Sequence, residues 1–78
     1  MPGTMVTFDW WSTYKAPCVM TNTNNNIVWV ELQPNDDGIV IGVTHDEATF
    51  DFYVMVLFHR VNRLVKVRRK MLVMVTDT

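Results

Sequence analysis

The chain has 78 residues, of which 49% are hydrophobic and 19% charged, and its formal net charge is −1. That length makes one domain at most, which buries only about 60% of its unfolded surface. The single Cys18 excludes an intramolecular disulfide framework, and no apolar run reaches the roughly 18 residues needed to span a bilayer. With no signal peptide, glycosylation sequon or lipidation motif in view, the expectation is a soluble protein of a reducing, cytoplasmic compartment.

In chain order, residues 5–11 alternate Val6, Phe8 and Trp10 against Thr7 and Asp9, the pattern of a half-buried strand. Residues 12–26 are polar, and Pro17 with the Asn-rich run 21–26 predicts a turn or loop. Cys18 reads there as a small hydrophobe, since Lys15 is the one basic residue close to it. Residues 27–32 and 39–43 are two apolar runs joined by Gln33, Pro34, Asn35, Asp36, Asp37 and Gly38, which predicts a β-hairpin with Gly38 in the left-handed position.

Residues 44–70 form the longest run without Gly or Pro. At about 100° per residue, Tyr53, Leu64, Leu57, Phe50, Val61, Val54, Val65 and Phe58 fall in one arc roughly 160° wide, which predicts a core-facing helix ending near Lys66 or Val67. Thr44, His45, Asp46 and Glu47 fit a capping box at its start. The competing reading is a strand, because Phe50, Phe52, Val54, Val56 and Phe58 also alternate; two strands here would need a turn between Phe58 and Leu64, where Asn62 is the available turn former. Residues 71–75 are wholly apolar and predict a strand at the centre of the sheet. The sum is an α+β two-layer sandwich, a four-stranded mainly antiparallel sheet with one helix in the order βββαβ.

Such a sandwich leaves one sheet face to cover. Trp29, Val40, Phe52, Met55 and Val56 are the expected interface, and a homodimer or other homo-oligomer is the symmetric way to bury them. Charge is strongly segregated. Residues 1–59 carry a net −6, whereas Arg60, Arg63, Lys66, Arg68, Arg69 and Lys70 bring +6 within eleven residues. That cluster suits a helix C-terminus, a phosphate backbone or an acidic partner.

No metal-ligand spacing, Gly-rich phosphate loop or nucleophile with a partner is present, so neither metal nor cofactor is expected and enzyme activity has no support. If there were catalysis, His45 and His59 with Glu31 would be the residues to test. The irregular pattern and six Met are those of a natural chain rather than an idealised design, and the small size fits an accessory protein of a phage or mobile element. Two functions remain. The leading one is an oligomeric protein-interaction or inhibitor module, and the alternative is a nucleic-acid-binding regulator using the basic cluster 60–70.

Overall fold

Burial alternates at a period of two along β-strands throughout this chain, even where both faces are apolar. A computed structural model describes residues 3–19, 27–46 and 51–75. Among the described residues seven strands form: β1 (Met5–Phe8), β2 (Tyr14–Pro17), β3 (Trp29–Leu32), β4 (Asp37–Asp46), β5 (Asp51–Phe58), β6 (Arg63–Arg68) and β7 (Leu72–Met74), with a 3-10 turn at Arg69–Met71. The first sheet is antiparallel in the order β6-β5-β4-β1-β7, and β2 and β3 pair as a separate two-stranded sheet. The protein is therefore mostly β, and the expected α+β sandwich with a helix is overturned.

Within the stretch read as a helix, residues 51–68 form a hairpin. Val54 pairs with Val67, Val56 with Val65 and Phe58 with Arg63, and Asn62, at φ 53°, closes the turn by donating its N–H to the Phe58 carbonyl at 2.9 Å. The helical arc was a product of apolar density. Val54, Val56 and Phe58 are buried on one face while Tyr53, Met55 and Leu57 are half-buried on the other, so both faces supply apolar residues and any 100° projection gathers some of them. Thr44, expected to cap a helix, sits in β4 opposite Tyr53; Glu47 and Phe50 lie outside the described residues.

The expected hairpin of residues 27–32 with 39–43 also does not form. Its turn is real, but Pro34 and Asn35 make it, with Asn35 at φ 72° and the Asp36 N–H bonded to the Gln33 carbonyl at 3.1 Å. Pro followed by a left-handed residue is a type II turn, whose backbone twist splays its flanking strands rather than pairing them. β1 takes the edge of β4 that β3 would have needed, with Met5 opposite Ile39 and Thr7 opposite Asp37. β3 pairs instead with β2, so Pro17 ends a strand opposite Trp29 where a loop was expected.

Two features bend the sheet. From Arg68 to Leu72 the chain can reach at most about 14 Å, yet a flat sheet would separate β6 from β7 by four strand spacings, about 19 Å. The sheet must coil so that its edges approach, and the 3-10 turn spans what remains. A β-bulge between Val40 and Gly42 gives β4 the bend this requires. At Gly38 an added Cβ would stand 2.5 Å from Val56 Cγ1 and 2.8 Å from the Leu57 carbonyl oxygen, so this Gly serves close strand approach rather than the turn.

Inside the coil, Phe8 and Phe58 meet edge to face at 6.5 Å, and Leu32, Val56, Val65, Val67 and Met71 are fully buried around them. The β2–β3 hairpin contributes Ala16, Cys18, Val30 and Leu32 to the same core. Its end is stitched to β6 by a bridge between Cys18 and Val65 and by the Val19 N–H on the Leu64 carbonyl at 2.8 Å.

Candidate functional site

At the far end of the coiled sheet, between β7 and the ends of β4 and β5, lies a groove of about 830 Å³. Val6, Val40 and Val54 form its floor; Val43 and Phe52 stand on one side, Leu72 and Met74 on the other, and Arg68, Arg69 and Lys70 at its rim. The same alternation that builds the core builds this groove. Phe52 continues the row of Val54, Val56 and Phe58, and Leu72 and Met74 lie opposite Phe8 and Val6. Val43 and Phe52 are each 53% exposed, so apolar side chains of the core face pass directly into solvent.

The edges of the five-stranded sheet differ in character. β6 carries Arg63, Lys66 and Arg68 and is partly covered at Leu64 and Val65. β7 is apolar throughout, and Val73, Met74 and Val75 are exposed. Among the described residues nothing pairs with its outer side. A charged edge resists addition of a further strand, whereas a bare apolar edge invites it.

The basic cluster does not form one face. Arg60 leaves it altogether: its Nε and Nη2 donate to the two carboxylate oxygens of Asp36 at 2.8 and 2.9 Å, and Nη2 also donates to the Glu31 carbonyl at 2.8 Å. Burial pushes the Asp36 carboxyl up, but the Arg60 hydrogen bonds, the Gln33 N–H and the guanidinium charge outweigh it and hold the group below its ordinary value. The carboxylate in turn raises Arg60. Lys66 Nζ stands 4.6 Å from the centre of the Tyr53 ring on the opposite sheet face, where Arg68 Nε also donates to Tyr53 Oη at 3.3 Å. Arg63 is exposed at the start of β6, beside the β5–β6 turn, and Arg69 and Lys70 are exposed on the 3-10 turn.

No protein-family model, curated protein or solved structure matches the chain.

The five residues expected at an interface fall in four places. Phe52 borders the groove. Trp29, 57% exposed, lies on the outer side of the β2–β3 hairpin, and Met55 is half-buried on the far face of the sheet. Val40, 4% exposed, joins Phe52 at the groove as part of its floor, whereas Val56 is 0% exposed and belongs to the core. Val43, Leu72 and Met74 escaped the sequence reading, because 39–43 was assigned to a closed hairpin and 71–75 to a central strand. β7 is instead an edge strand.

His45 packs against Phe52 at 4.7 Å, at the groove end of β4, whereas His59 follows β5 at its opposite end, and Glu31 is on β3; the structure does not bring them together. Among the described residues no three His, Cys, Asp or Glu side chains cluster as metal ligands would. No helix among them is long and apolar enough to cross a membrane.

Proposed function

We propose that this protein is a small interaction module, working as an oligomer in a reducing cytoplasm, and that its binding surface is the apolar groove between β7 and the ends of β4 and β5. One observation carries the reading: half-exposed Val43 and Phe52 stand across an apolar floor from a bare apolar edge strand. Contiguous apolar surface of this kind is costly to leave in water and is characteristic of protein association. The buried, reduced Cys18 is compatible with the compartment. Nucleic-acid binding is the weaker reading, since Arg60 is committed to Asp36 and Lys66 lies over the Tyr53 ring, which leaves Arg68, Arg69 and Lys70 at the groove rim and Arg63 apart from them at the start of β6.

Substitution tests the groove directly. Phe52→Glu and Val43→Glu alter exposed side chains, so circular dichroism and the denaturation midpoint should stay close to wild type. Association measured by light scattering at micromolar concentration should fall in both. Wild-type association in both variants would reject the groove as the binding surface.

A further inference from the structure

The bulge in β4 decides which side chains line the groove. Val40 lies opposite Val56, but past the bulge it is Val43, not Gly42, that lies opposite Val54. Directly opposite residues share a sheet face, so the extra residue turns Val43 onto the face that carries Val54 and the core, where unbroken alternation from Val40 would have put Gly42. From β1 and β7 the same hollow receives Val6 and Met74, which pair with one another, and Leu72. The groove is thus the open mouth of the coiled sheet. Its floor of Val6, Val40 and Val54 is buried and continuous with the core, and it opens to solvent at Val43 and Phe52. Small-molecule sites are of this kind: apolar hollows of roughly 300–1,000 Å³, often in the mouths of barrels, in which a few polar groups fix the orientation of the ligand.

Every charged residue that lines the hollow is a cation. Arg68, Arg69 and Lys70 are consecutive at one rim, and no Asp or Glu belongs to the lining. Arg68 Nε donates to Tyr53 Oη, whereas Arg69 and Lys70 are exposed on the 3-10 turn and, among the described residues, neither has an acidic partner. A neutral apolar ligand would make no use of these cations. A polyanion or a membrane surface would need a broad basic face, which the pairing of Arg60 with Asp36 and the position of Lys66 over Tyr53 deny it. An apolar body with one compact anionic head matches both the floor and the rim.

We infer that the groove takes a free long-chain carboxylate, a fatty-acid anion, with its chain over Val6, Val40 and Val54 between Phe52 and Met74 and its head at Arg69 and Lys70. The planar Arg69 guanidinium can hold a carboxylate through two parallel hydrogen bonds, and Lys70 adds a point charge. The inference goes beyond association and stands on the lining of the hollow alone; where the same groove serves association, ligand and partner compete for it.

Calorimetric titration of the full chain with octanoate, decanoate and dodecanoate, each below its micelle concentration, tests it. Affinity should rise along the series by up to about fourfold per buried methylene, and dodecanol should bind more weakly than dodecanoate. Arg69 and Lys70 are exposed, so the double variant Arg69→Gln with Lys70→Gln should fold as wild type does. It should weaken dodecanoate roughly three- to tenfold, to the level of dodecanol. Val43→Glu, checked for folding by circular dichroism, should abolish binding of every chain length. No affinity of the wild type for dodecanoate, or equal affinity for dodecanoate and dodecanol, would overturn the inference, as would sedimentation with phosphatidylglycerol vesicles by a protein that does not bind dodecanoate. Light scattering separates this from the association reading. Dodecanoate binding that leaves the assembly unchanged would uphold the ligand and remove the groove from association, whereas association lost in Phe52→Glu without any dodecanoate binding by the wild type would keep association and remove the ligand.

Discussion

Arg60 and Asp36 tie the β5–β6 turn to the β3–β4 turn through two parallel hydrogen bonds, 2.8 and 2.9 Å long, across 24 residues of sequence. Asp36 also accepts the Gln33 N–H at 2.9 Å and, through its carbonyl, the Phe8 N–H at 2.7 Å. One acidic residue thereby fixes the end of β1, a type II turn and the adjoining hairpin. It is the sole buried charged residue among those described, which makes its pairing a structural necessity rather than surface decoration.

Acid should expose this dependence. Because the folded Asp36 carboxyl titrates below its ordinary value of 3.8, its contribution to stability is present above that pH and is lost as pH falls through the lower folded value. Asp36→Asn should cost about 1–3 kcal/mol near neutrality. It should also flatten the dependence of the urea midpoint on pH below about 4. Arg60→Gln should destabilise the fold by leaving Asp36 without its cation. An unchanged acid profile in Asp36→Asn would show that the carboxylate does not control stability.

Gly38 and Gly42 make a graded pair. A Cβ at Gly38 would meet backbone as well as Val56, whereas at Gly42 it would meet the Met55 Cε, 2.7 Å away at the end of a flexible side chain. Gly38→Ala should therefore cost about 1–3 kcal/mol by overpacking, and Gly42→Ala clearly less. Equal midpoints for the two variants in chemical denaturation would contradict the close approach of β4 and β5.

Phe58→Ala should remove the partner of Phe8 and cost about 3–5 kcal/mol, enough to unfold much of a domain this small. Phe52→Ala, on the same row of β5 but half in solvent, should cost far less. Thermal melts of the two proteins compare the closed and open ends of one strand.

Asn62 holds a left-handed conformation at φ 53° in the β5–β6 turn. Asn62→Gly should be tolerated, and Asn62→Ala should cost about 1 kcal/mol. Destabilisation by Gly exceeding that by Ala would mean that the Asn side chain, not the backbone angle, matters there.

The local chemistry of this chain was legible in its sequence where one residue type answers one need. Val6 and Phe8 alternate and are buried; Pro34 and Asn35 turn; Asn62 turns where a second strand pair demanded it. Apolar residues are abundant enough that Trp29, Val43 and Phe52 among others remain exposed outside the core. Strand partners were decided by tertiary structure alone, since β3 and β4 are joined by a short turn yet separated by β1, which arrives from the other end of the chain to take the edge of β4. The choice between helix and hairpin at residues 51–68 was likewise tertiary. Both periods fit the apolar residues, and the hairpin prevails because it buries Val54, Val56, Phe58, Val65 and Val67 against Phe8 and Leu32 together, which a single helix stripe could not offer. The basic residues show the same division: the sequence contains the cluster, but the strand direction disperses it, binding Arg60 to Asp36, placing Lys66 over Tyr53 and leaving Arg69 and Lys70 beside the groove.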